Sequence, residues 1–436
     1  MTPPPPPRTA RPFPPWLEWA LALAVLAALA IVAVRFVRDG YLPQPFFYDV
    51  TDPLMDLYST AYWAHHPGAY SVWASVYPPL SFAFLRLISI PGCYVSDPFW
   101  ARDCDWLARY ALYALYALDL AVIYGTYRKA DRVTALPRSI ALGLSLPMLY
   151  GLDRGNLVIP CFAAFALGYG RLLSRERSRI AALAVAVHFK PYLLLVALPR
   201  AAARHWRWLA VLGALLGAVY VVTYAVYGGG APWELIRSAR TFSAVTGDNF
   251  WEKIYASTSF APLLRFAASD FPLLQYVDSR VADRLAVAFS AALWAGVLAT
   301  GAVYVAALRA PGRVSPRRLA ASTICLLLAL SESSGPYALI FPLFLVFAER
   351  WKGAAGAVIL TSAYLLCLPI DYTFLTVFQG PMRAWWSGRE VYVEFGVAVG
   401  QFARPLLLLA LLYALAWSNG RDLAAPGVAR VPAPAC

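Results

Sequence analysis

Apolar residues fill this chain in long unbroken runs, and polar residues gather in the short breaks between them. Runs able to span a bilayer cover roughly 17–37, 105–127, 134–151, 156–172, 207–227, 281–308, 319–334, 336–349, 353–370 and 398–417. A hydrocarbon core about 30 Å thick needs about 20 predominantly apolar helical residues to cross it, which predicts membrane helices rather than strands. Two further runs, 78–92 and 179–200, are ambiguous.

Basic residues arbitrate. Arg128, Lys129, Arg132 and Arg138 form one cluster, Arg171, Arg175, Arg177 and Arg179 a second, and Arg200, Arg204 and Arg207 a third. Lys and Arg concentrate in cytoplasmic loops. All three clusters fall inside if 78–92 and 179–200 only dip into the membrane, so ten crossings with two dipping elements are preferred and a twelve-crossing map stays open. The outer face then carries 38–104, the Asp153–Asn156 turn, 228–280, the Ser331–Tyr337 corner and a loop at 371–397. The second dip has two arms of about ten residues, each about 15 Å if helical, with His188, Lys190 and Pro191 at its tip.

Composition agrees: 60% of the 436 residues are hydrophobic and 14% charged, far more apolar than a soluble domain. The formal charge of +13 fits cytoplasmic loops better than a nucleic-acid partner. Cys161, Cys325 and Cys367 lie singly in apolar runs; Cys93 and Cys104 flank a short polar stretch and either pair, on an oxidising side, or stay as two thiols. Residues 1–16 read as a proline-rich cytoplasmic tail, 17–420 as a single integral-membrane domain, and 421–436 as a disordered tail. No internal repeat of the transporter kind is visible.

Candidate chemistry begins after the first apolar run, where Asp49, Asp52 and Asp56 stand within eight positions. A carboxylate at a membrane face is suited to take a proton from an acceptor hydroxyl. Asp52 precedes Pro53 and also suits a helix N-cap; Asp56 also suits a solvated loop charge. Tyr77 before Pro78-Pro79 reads as an extended entry to a helix, with or without substrate contact. In the turn Leu152–Leu157, Asp153, Arg154 and Asn156 offer an acid, a cation and an amide around Gly155. Lys190 lies within an apolar segment where its charge needs an anion, and a lipid phosphate fits; a snorkelling lysine is the plain alternative. Arg404, inside the last run, is a second phosphate candidate that could equally pair with a helix acid. His65 and His66 lack the spacing of a zinc helix, and neither a metal nor another cofactor is indicated.

These residues resemble a family. Asp52, Asp56 and Tyr58 in the pattern D-x-x-x-D-x-Y, then Tyr70, Tyr77-Pro78-Pro79-Leu80, Gly155-Asn156-Leu157, and Lys190-Pro191 34 residues after Asn156 are similar to the polyprenol-phosphate-sugar-dependent membrane glycosyltransferases of the type C class. The likeness is to glycosyltransferase family 87, whose members include α-mannosyltransferases. The resemblance implies an all-α, polytopic bundle of about 10–12 transmembrane helices. It also implies an active site on the outer side of a bacterial inner membrane and a catalytic aspartate in the first outer loop, matched here by Asp56 or Asp52. It further implies a polyprenyl-phosphate sugar donor and a lipid-linked or glycan acceptor, with no nucleotide. Tyr58, Tyr77, Arg154, Asn156, His188, Lys190, Tyr337 and Arg404 are the candidate substrate-binding residues. Tyr337 stands near where the family tends to carry a histidine, which leaves phosphate recognition to Lys190, His188 or Arg404. A lipid-linked-sugar flippase and a glycan polymerase are the rival readings.

Overall fold

The computed structural model describes residues 13–46, 50–231, 233–248, 278–331 and 335–424. Among these the chain is mostly α-helical, and five helices are long and apolar enough to cross a membrane: Pro15–Asp39, Trp106–Ala130, Trp206–Tyr227, Ser279–Arg309 and Gly400–Ala424. The first shows how sequence bounds such an element. Pro15 begins it without sacrificing a needed N–H, and Gly40, at φ 79°, ends it in the left-handed conformation. These helices keep apolar side chains on their outer faces. Trp206–Tyr227 buries only Trp208 and Leu212, while Val221, Val222 and Val226 are exposed, a surface that suits lipid and would be costly in water.

The other predicted crossings form shorter pieces. The run at 134–151 divides into Ala135–Gly143 and Leu146–Asp153, with Ser145 capping the second through the Met148 N–H. The run at 336–349 is a 3₁₀ turn followed by Ile340–Phe347, and 156–172 reduces to Val158–Tyr169. Twelve helical residues reach about 18 Å, short of the bilayer core. These pieces make the interior instead: every residue of Ile340–Phe347 is buried, as are all of Val158–Tyr169 except Ala164 and Leu167. Phe165 packs edge-on against Phe341 with ring centres 4.9 Å apart, and Phe162 meets Phe344 at 5.4 Å.

The basic clusters converge on one end of the bundle. Lys129 donates to the Arg171 carbonyl, Arg317 to that of Tyr169, and the charges of Arg179 and Arg200 act on one another. Segment 179–200 explains the last contact. The helix Glu176–Phe189 runs antiparallel to Val158–Tyr169, Lys190 ends it, and the 3₁₀ segment Pro191–Ala197 brings Val196 back to the Tyr169 hydroxyl at 2.5 Å. The chain therefore turns back at Lys190, as the charge pattern predicts. Residues 79–87 form a nine-residue helix, and both flanks of this segment stay with the first loop: the Tyr70 hydroxyl donates to the Tyr77 carbonyl, and the Ile90 N–H to Asp105.

Two details need correction: the 371–397 loop carries regular structure, and the mostly helical chain is not all-α throughout, because Thr373–Arg383 and Glu390–Ala398 pair as an antiparallel hairpin. In Glu390–Glu394 exposed and buried positions alternate, Val391 and Val393 facing inward, which is the period of a half-buried strand. Cys93 and Cys104 form a disulfide, resolving the choice left open by their spacing.

Candidate active site

The Leu152–Leu157 turn docks against the loop that follows the first long helix. The Leu54 N–H donates to the Asp153 carbonyl at 2.7 Å and the Asp56 N–H to that of Arg154 at 3.0 Å. Gly155, at φ 65°, is required here: a Cβ would lie 2.8 Å from Leu57 Cβ and 2.9 Å from the Leu54 oxygen. Leu54 itself has φ 64°, a strained conformation for leucine of the kind that persists where surrounding contacts over-determine it. The helix Met55–His65 starts immediately after, so Asp52 is not its cap and Asp56 lies in its first turn, where the helix dipole favours a carboxylate.

This junction gathers four of the candidates. Arg154 Nη1 bonds Asp52 Oδ2, and Nη2 donates to Asp56 Oδ1 at 3.0 Å; Asn156 Nδ2 donates to Asp56 Oδ2 at 2.6 Å. Burial opposes the charge of Arg154, but Asp56 and Asp52 outweigh it and hold the guanidinium pKa above its ordinary value. Asn156 turns its own oxygen to the Val158 N–H, which fixes the amide so that its NH₂ faces Asp56. The side chains of Asp52 and Asp56 remain 28% and 26% exposed, so a solute can reach them.

Lys190 completes the group from the tip of the returning segment. It is 8% exposed, and its Nζ lies 5.0 Å from the centre of the Tyr77 ring and 5.4 Å from that of Tyr337. Two aromatic faces stabilise an ammonium without neutralising it. Asp56 acts electrostatically on Lys190 and on both phenols, and Asn156 interacts with both phenols as well. Lys190 makes no ion pair among the described residues. The arrangement thus offers an oriented carboxylate next to an unneutralised buried cation, in a partly open position.

The remaining candidates lie elsewhere. The Tyr58 hydroxyl donates to the Asp105 carbonyl at 2.7 Å and fixes the loop. His188 presents its carbonyl to the Ser81 hydroxyl, and the Leu216 backbone acts on its ring. Arg404 pairs with Asp371 at 3.0 Å, the helix-acid alternative that the sequence allowed. His65 bonds Ser89, and the His66 ring stacks on Tyr62. Asp49 and residues 332–334 of the Ser331–Tyr337 corner fall outside the described residues.

Sequence reasoning missed the supports. Trp386, between the two strands, donates to Asp153 Oδ1 at 2.7 Å, and Trp385 donates to Asp103 at 2.8 Å. Burial pushes the Asp153 carboxyl pKa up to about 6, against the lowering effects of the Trp386 hydrogen bond and the Arg154 charge. Arg102 is buried, donates to the carbonyls of Thr51 and Pro53, and stacks over Trp385 at 4.6 Å, so one guanidinium braces the backbone on both sides of Asp52. Asp105 accepts from the Tyr94 hydroxyl and from the Ile90 and Ala108 N–H groups. The adjacent tryptophans between two apolar runs were the available signal, and their partners are more than 230 residues away in the chain. Compared with family models, with curated proteins and with solved structures, the chain finds no match.

Proposed function

We propose that the chain is a membrane glycosyltransferase of the type C class, similar to family 87, that moves a sugar from a polyprenyl-phosphate donor to a lipid-linked or glycan acceptor. What supports this reading above all is the meeting of Asp56, held by Arg154 and Asn156, with Lys190, whose charge lacks a carboxylate partner among the described residues. Asp56 takes the proton of the acceptor hydroxyl as the acceptor oxygen bonds the anomeric carbon. The bond from that carbon to the donor phosphate breaks, and the polyprenyl phosphate leaves as an anion that Lys190 receives. Because one displacement occurs, the anomeric centre inverts. Asp56 is preferred to Asp52 as the base because it is the carboxylate whose field reaches Lys190, Tyr77 and Tyr337; Asp52 fixes Arg154 from behind.

The site opens on the extracytoplasmic side of a bacterial inner membrane. The Cys93–Cys104 disulfide next to Asp105 fits an oxidising compartment there, and the basic clusters at the far end fit the cytoplasm. On this reading the short buried helices are crossings completed by their flanking turns, giving ten with two dipping elements.

Purified protein should retain a radiolabelled polyprenyl-phosphate sugar and transfer its sugar to a membrane-extract acceptor, while a nucleotide sugar of the same hexose is neither bound nor used. Binding of the donor followed by its appearance across a vesicle membrane, with no new glycosidic bond, would make the protein a flippase instead.

A further inference from the structure

At the outer end of the first long helix, on a flank that shares no residue with the Asp56–Lys190 group, a groove of about 690 Å³ runs between this helix, the end of Gly353–Leu366 and the start of Gly400–Ala424. Its walls are apolar, formed by Leu365, Ile370, Leu406 and Leu407. Leu365 and Leu406 are 37% and 41% exposed, so the groove opens sideways, where lipid chains lie, rather than into the protein.

Two arginines and one carboxylate also line the groove. Arg404 is buried in its ion pair with Asp371, whose other oxygen accepts the Gly400 N–H at 2.7 Å. A Cβ at Gly400 would collide with both Asp371 and Arg404, so the absence of a side chain there lets the pair sit against the backbone. Among the described residues the Arg404 Nε has no hydrogen-bond partner, although the residue is only 6% exposed. A buried guanidinium N–H left open is costly and awaits an acceptor. Arg35, four residues before the end of the first helix, lines the same groove and makes no ion pair among the described residues. Two arginines against one carboxylate leave one net positive charge, which the single negative charge of a phosphodiester balances when the headgroup carries no cation of its own.

From this complementarity we infer that the groove binds an anionic phospholipid, its phosphodiester between Arg35 and Arg404 and one acyl chain along the leucine wall. The groove shares no residue with the Asp56–Lys190 group, so the inference stands apart from the proposed function. The bound lipid joins the first long helix to the last one and to the Asp371 turn that starts the hairpin.

The purified full-length chain in neutral detergent, titrated with phosphatidylglycerol and with phosphatidylcholine and read by native mass spectrometry, tests this. Phosphatidylglycerol should bind roughly fivefold tighter or more. Arg35→Gln should reduce that preference to less than about twofold and Arg35→Lys should restore it, while Leu406→Trp, which fills the groove, should weaken both lipids. An equal affinity for the two lipids in the native chain, or a preference unchanged in Arg35→Gln, overturns the site. So does displacement of phosphatidylglycerol by polyprenyl phosphate at lower concentration, since the groove would then hold a different lipid. Donor binding that persists in Arg35→Gln separates failure here from failure of the transferase reading.

Discussion

Two arginine–carboxylate groups stand at opposite ends of this bundle, and they are built differently. At one end Arg138 meets Glu18 through two parallel bonds of 2.6 and 2.7 Å, and its remaining donor reaches the carbonyls of Phe347 and Glu349. The Tyr364 hydroxyl adds a bond to Glu18 at 3.0 Å. Both side chains are nearly inaccessible, at 6% and 1%. At the other end one arginine, Arg154, is shared by two carboxylates that stay about a quarter exposed, and Lys190 nearby meets two ring faces and no ion-pair partner among the described residues. A closed, fully bonded pair fixes helices; an open group with an unneutralised cation is suited to receive a charged ligand. The same residue types thus serve packing in one place and chemistry in another, and accessibility together with unfilled bonding capacity marks the difference.

The comparison breaks most readily at Asp56. Asp56→Asn should cut sugar transfer by roughly 10²–10⁴-fold in a radiolabel assay with donor binding and protein abundance near normal; full activity would remove Asp56 from the mechanism and turn attention to Asp52. Glu18→Gln should do the reverse. Leaving Arg138 buried and unpaired should lower stability by about 3–5 kcal/mol in a thermal or denaturant melt, while the protein that stays folded keeps its affinity for donor. A melt indistinguishable from the native chain would show that the inner pair does not fix the helices.

Lys190→Met keeps length and apolar packing while deleting the charge. Donor affinity should fall by about 2–5 kcal/mol, with stability of the free protein unchanged or slightly raised because a buried charge is gone. Unchanged donor affinity would reassign Lys190 to structure. The smallest effect concerns Asp153, whose folded pKa of about 6 lies above the ordinary carboxylate range. A raised pKa means that the folded state holds the proton more tightly, so this contribution to stability is complete at about pH 4 and is lost as pH rises through about 6. Asp153→Asn keeps an acceptor for Trp386 and has no proton to lose. Its stability advantage over the native chain should therefore grow between about pH 4 and pH 6, to on the order of 3 kcal/mol, and stay level above. An advantage that does not change with pH would place Asp153 in contact with water.

Much of the helical layout was legible because long apolar runs leave the backbone only one way to satisfy itself in lipid. The five long helices lie where the hydropathy places them, and the gathering of Lys129 with Arg171 and of Arg179 with Arg200 follows the distribution of basic residues. Gly155 announced a tight turn, and Lys190 in an apolar segment announced an unusual site. The hairpin at 373–398 was missed because a short segment between two apolar runs reads as a loop until its alternation is examined.

The sequence by itself determined that this is a mostly α-helical protein with helices long and apolar enough to cross a membrane, which residues carry charge amid apolar surroundings, and where the chain must turn; these are local properties of runs, glycines and prolines. Only the tertiary structure decided that Asp56 faces Asn156 and Lys190, that Arg404 is taken by Asp371, and that Trp386 closes over Asp153. Those choices join residues 33 to 233 positions apart, and they depend on how helices pack and which hydrogen-bond capacity is left unfilled, which no local pattern encodes.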